Sequence, residues 1–145
     1  GGPLYSTIGA TLWMTTRRST LADWSAGVHY HYYSAYEQYA LSQELFPAEK
    51  ARQNAHVLVA FAGREWFYGR FSFFLQAGVN LYSPFLRELN EVWDLPKHGW
   101  MYLNLAHKVG YRLYIDDQQT YVSMSVKTSG GTADMFEFSL GRVLK

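Results

Sequence analysis

His29 and His31 are the residues of this chain best placed to do chemistry. They stand two apart, and on an extended strand positions i and i+2 share a face. Two imidazoles so arranged could ligate a metal or supply a general base. Neither a carboxylate nor a third ligand lies at motif spacing from them, so the pair reads first as polar lining of an interior. Glu137 is the third candidate, as the acid of a catalytic group. It falls on the polar face of its strand pattern, as Arg64, Lys108, Arg112 and Lys127 are read to do on theirs. Buried charges need partners, so an ion-pair network inside a barrel is the expected role of Glu137. No phosphate-cradling glycine loop, zinc motif or nucleophile elbow occurs in the sequence. No cofactor and no metal is expected.

The elements that must position these residues are strands. Residues 69–83 alternate for about twelve residues, with Phe71, Phe73, Leu75, Ala77, Val79 and Leu81 set against Arg70, Ser72, Phe74, Gln76, Gly78, Asn80 and Tyr82. Ordinary strands run about 5–6 residues, whereas a tilted membrane-crossing strand needs about 9–11. The same pattern recurs. Leu4, Ile8, Ala10, Leu12 and Met14 share a face of a first strand, and Ala22 to Tyr32 alternate in a second against Ser25, Gly27, His29, His31 and Tyr33. A third, about 53–67, sets Val57, Val59 and Phe61 against His56, Ala60 and Arg64. Strands follow at about 100–115, 119–129 and 132–144, the last with Phe136, Phe138, Leu140 and Leu144 against Met135, Glu137, Ser139 and Gly141.

Composition narrows the class. The 145 residues suit one domain and are 48% hydrophobic, enough for a core. Aromatic residues make up 18%, with 12 Tyr and 5 Trp, the types that favour membrane interfaces. A net charge of +1 gives no nucleic-acid footprint. With no cysteine there is neither a disulfide framework nor a thiolate metal site. No apolar run is long enough for a transmembrane helix. No signal peptide is seen, so an exported protein of this sequence would be a processed form or a fragment.

Connection lengths alternate. Short links fall at Thr16–Thr20, Tyr68–Arg70 and Asp116–Gln118, and long ones at 37–52 and 84–99, with Ser129–Gly131 a tight exception. The segment 37–52 could hold a helical turn before Pro47, and Asp116-Asp117 is a turn signal. Short turns on one rim and long loops on the other describe an outer-membrane barrel. Such single-chain barrels have even strand numbers, and seven are legible. The expectation is an all-β, antiparallel up-and-down transmembrane barrel. Residues 1–145 would form a single domain, the C-terminal portion of a barrel of eight or more strands. Trp24, Trp66, Trp93 and Trp100, with Tyr30, Tyr32, Tyr68, Tyr82 and Tyr102, are expected to form interface girdles. Asp94, Lys97 and His98 could meet lipopolysaccharide phosphates, although a solvated loop is the plainer reading.

Several segments carry a resemblance. They are Trp24–Tyr33 followed by a long loop, Gly69-Arg70-Phe71-Ser72-Phe73 with Gln76-Ala77-Gly78-Val79, and Lys108-Val109-Gly110-Tyr111-Arg112. The strongest is Ser125-Val126-Lys127-Thr128, then Ala133-Asp134 and Glu137 through Gly141. Together they resemble the C-terminal half of the larger PagL-like lipid A deacylases (acyloxyacyl hydrolases). The resemblance implies a barrel in the outer membrane of a Gram-negative bacterium, with outer-membrane lipids and lipopolysaccharide as partners. It also implies hydrolysis of ester-linked acyl chains of lipid A by a Ser-His-acid group, with His and Ser two apart on one strand.

The chain departs from that pattern. No His-x-Ser occurs, and Ser34 lies on the opposite face from His29 and His31. Ser129 stands where the family pattern has a histidine after Lys-Thr, and Arg142-Val143-Leu144-Lys145 lacks the usual terminal aromatic. Three functions compete. One is the C-terminal part of an active lipid A ester hydrolase, whose catalytic pair lies upstream. Another is a non-enzymatic barrel acting as scaffold or subunit with other envelope proteins. The third is a soluble lipocalin-like carrier with its apolar faces inward. Alternation alone does not say which face is inside.

Overall fold

The computed structural model describes residues 5–17, 21–44, 46–92, 105–116, 119–129 and 132–144. Leu4, Trp93, Asp94, Lys97, His98, Trp100, Tyr102 and Asp117 lie outside the described residues. Seven strands form one antiparallel sheet in chain order: β1 (Thr7–Arg17), β2 (Ala22–Tyr33), β3 (His56–Tyr68), β4 (Phe71–Tyr82), β5 (Leu105–Asp116), β6 (Thr120–Ser129) and β7 (Thr132–Arg142). Their lengths, from 10 residues in β6 to 13 in β3, are those of membrane-crossing strands. Each strand pairs only with its neighbours in sequence, the up-and-down arrangement.

The sheet curls so that its polar face is inside. Ile8, Leu12, Met14, Phe136, Phe138 and Leu140 are each more than 70% exposed, whereas His29, His31, Gln76, Lys108, Arg112 and Lys127 are buried. That orientation is opposite to the lipocalin-like one. Among the described residues nothing covers the exposed apolar face, and a bilayer is the solvent that suits such a face.

Strand β3 corrects the expected faces. Val57, Val59 and Phe61 point inward, and Arg64 points outward. The ladder with β2 fixes this, because Val57 pairs with His31 and Val59 with His29, and paired residues share a face. The inward apolar residues close one end of the interior, where Tyr33, Val57, Val59 and Ala106 cluster. Phe67, Tyr114 and Tyr121, with Trp13 against them, close the other end. Polar residues occupy the space between.

The long connections carry helices on one rim: α1 (Ser34–Ser42), α2 (Ala48–Ala51) with a 3-10 turn at Gln53–Ala55, and α3 (Pro84–Val92). Their contact is apolar, built from Ala40, Ala51, Phe85 and Leu86. Tyr36 ties it to the strands, stacking on Phe85 at 4.2 Å and on Tyr33 at 4.6 Å. The opposite rim has tight turns. Gly69 sits at φ 66°, a conformation that costs a Cβ-bearing residue. The Asp116 carboxylate accepts hydrogen bonds from the Thr120 backbone N–H at 2.6 Å and from its hydroxyl at 3.1 Å.

Strands β1 and β7 each have one bonded neighbour. Between them lies a cavity of about 680 Å³, lined by interior residues such as Thr11 and His31 and also by outward ones such as Ala10 and Phe138. The cavity is therefore a groove that runs through the wall. With seven antiparallel strands, β1 and β7 point the same way.

Candidate functional site

His29 is held on the inner face of β2, opposite Thr11 of β1 and Val59 of β3. Its Nε2 lies 3.1 Å from Gln76 Oε1, which can only accept, so Nε2 carries the proton. Nδ1 then accepts from the Thr11 hydroxyl at 2.7 Å. The ring stacks on Phe61 with centroids 4.0 Å apart. Both nitrogens are thus engaged, leaving none for a metal or a substrate proton.

His31 lies 5.8 Å from His29 by ring centroids and 5.7 Å from Tyr33. It is 3% exposed, and its Nε2 has no hydrogen-bond partner among the described residues. The groove between β1 and β7 reaches it. Among the described residues no group of three or more His, Cys, Asp or Glu could hold a metal ion.

Charged groups fill the rest of the interior in pairs. Glu137 of β7 meets Lys108 of β5, whose Nζ is 2.9 Å from each carboxylate oxygen. Lys127 donates to the Tyr33 hydroxyl from the facing wall. Nearer the short-turn rim, Glu65 accepts from Arg112, from Ser72 and from the Tyr114 hydroxyl, the last at 2.9 Å. The Arg112 guanidinium lies 4.3 Å from the Phe74 ring and 5.0 Å from that of Tyr121. This arrangement sets buried charge against opposite charge and hydroxyls, with Arg112 Nε and Glu137 Oε2 left without a hydrogen-bond partner among the described residues.

The three residues singled out in the sequence are all interior, each with its own surroundings. Glu137 is paired with Lys108, and among the described residues no serine hydroxyl is hydrogen-bonded to a histidine. Glu65 is the interior residue that sequence reasoning missed. Its signal was parity, because it stands eight positions after Val57 on the same face of β3.

A second polar cluster lies on the outer face at the helical rim. The Tyr30 hydroxyl is hydrogen-bonded to His56 Nδ1, the His56 ring is 5.2 Å from Tyr32, and the Tyr32 hydroxyl donates to Glu37. Tyr30 and Tyr32 sit toward a strand end and face outward. Trp24 and Trp66 face outward toward the other rim, with Arg64 between them.

No curated protein and no solved structure matches the chain. The model of the acyloxyacyl hydrolase C-terminal domain does match, over residues 2–144. That span covers every strand of the sheet, and the chain belongs to this PagL-like acyloxyacyl hydrolase family.

Proposed function

We propose that the protein is one wall of an outer-membrane β-barrel that removes ester-linked acyl chains from lipid A. Residues 1–145 form its C-terminal portion in this reading, and strands outside the sequence bring the nucleophile and base. The observation that carries it is the inverted sheet, polar inside and apolar outside on strands of 10–13 residues. Family membership supplies the reaction class. Parity supports the further strands: an even barrel closed entirely by antiparallel pairs needs an odd number of strands between β1 and β7. Lipid A and the surrounding outer-membrane lipids are the partners in this reading.

A second reading is a non-enzymatic barrel of the same ancestry, serving as a scaffold in an envelope complex. It is favoured by the lack of a His–Ser contact among the described residues. One experiment separates the two. The protein is purified from outer membranes, its intact mass is measured, and lipid A is assayed for loss of an ester-linked acyl chain. A mass well above 16.7 kDa with deacylated lipid A is the expected result. A mass of 16.7 kDa with unchanged lipid A overturns the enzymatic reading and leaves the scaffold.

A further inference from the structure

Arg64 is unusual on its face of the sheet. Among the described residues it is the one Lys, Arg, Asp or Glu that points outward from a strand anywhere but at the strand's end. It lies four residues before Tyr68, which at about 3.3 Å per residue and a tilt of about 40° places it roughly 10 Å from the short-turn rim. From that depth a long arginine side chain can snorkel toward the short-turn rim and the phosphates beyond it. Its guanidinium carbon is 5.2 Å from the Trp24 ring centroid and 5.5 Å from that of Trp66. The aromatic surface continues across β4 and β5, with Phe73 5.8 Å from Trp66 and Tyr111 5.4 Å from Phe73.

Two indole rings beside a guanidinium hold it by cation–π attraction but accept none of its five in-plane N–H bonds. Among the described residues no carboxylate or other acceptor takes them. The interior arginine behaves differently, since Arg112 is paired with Glu65. We infer that Arg64, flanked by Trp24 and Trp66, binds the phosphate of an anionic glycerophospholipid in the leaflet at the short-turn rim. A phosphodiester presents two oxygens to the planar fork, and the apolar surroundings strengthen the attraction. The short turns mark the periplasmic side of such barrels, so the ligand is a glycerophospholipid. This inference rests on the membrane-barrel reading above.

The test uses the native protein in phosphatidylcholine vesicles doped with brominated phosphatidylglycerol or brominated phosphatidylcholine, read by tryptophan quenching. The expected result is about fivefold stronger quenching association with the anionic lipid, equivalent to about 1 kcal/mol per surface cation. Arg64→Gln is expected to abolish that preference. Arg64→Lys keeps the charge for folding but loses the fork, and is expected to lower the preference partway. Equal quenching by both lipids, or a preference unchanged in both variants, overturns the site and leaves the barrel standing. No quenching by either lipid overturns the membrane reading itself.

Discussion

Arg112 and Glu65 form a buried ion pair although their strands are not neighbours. Strand β4 runs between β3 and β5, and the pair reaches across its inner face beside Ser72 and Phe74. Two strand spacings come to about 10 Å, a gap that the arginine and glutamate side chains together span on the inner face. Removing one partner strands the other charge in the interior, which costs about 3–5 kcal/mol. Glu65→Ala and Arg112→Ala are each expected to lower unfolding stability in detergent by about that amount. The double variant should fall well short of the sum, and strict additivity would show that the two are not coupled.

His29 is expected to act as a structural bridge between β1 and β4. Truncation to Ala leaves Thr11 and Gln76 without their shared partner, a loss of about 1–3 kcal/mol. His29 should make no contribution to zinc binding, because both of its ring nitrogens are taken. A zinc-dependent rise in the midpoint that His29→Ala removes would contradict this.

Two glycines should respond differently to substitution. A Cβ at Gly27 would run into the Leu12 carbonyl and the Trp13 backbone of β1, where nothing can yield cheaply. Gly69 has open space around it but a φ of 66°. Gly27→Ala should block assembly, or cost several times the roughly 1 kcal/mol expected of Gly69→Ala. Gly69→Asn should be nearly neutral, since Asn tolerates that backbone conformation. Heat-modifiable mobility on gels reads all three variants.

The outer face should show a depth profile. Val109 lies mid-strand on β5 and faces outward, whereas Ile115 stands one residue from its end. Arginine at Val109 is expected to destabilise the protein in bilayers by about 2–4 kcal/mol, and at Ile115 by about 0–1. Equal costs, measured by reversible unfolding in vesicles, would argue that this face does not meet lipid.

Most of the architecture was legible because the alternation in β4 to β7 is strict. Phe136, Phe138 and Leu140 against Glu137, Ser139 and Gly141 leave little choice of face. The segment from Val57 to Ala62 is apolar on both faces, so the pattern there is silent. The true faces are set by ladder partners in β2, a non-local fact. Arg64 and Glu65 stand side by side and must point opposite ways, yet nothing local says which goes in. Helix α3 did leave a signal in Ser83-Pro84, a proline at the first helical position before Phe85 and Leu86. The family resemblance rested on short strand motifs, and the family model covers the same span. For the site, the sequence showed that His29, His31 and Glu137 share polar faces. Their partners, Gln76, Thr11 and Lys108, come from other strands, and spacing along one strand does not reveal them.

The ladder itself links only successive strands, so the wall can grow hairpin by hairpin with little loop-closure entropy at each step. The bond that spans most of the chain is an interior one, 94 residues from Tyr33 to Lys127, about twice the reach of any ladder pair. Pairing along the chain is therefore fast and local, while rolling the sheet waits for this polar contact to form. Substitutions in the interior should consequently slow the appearance of the curled form more than substitutions of equal thermodynamic cost on the outer face.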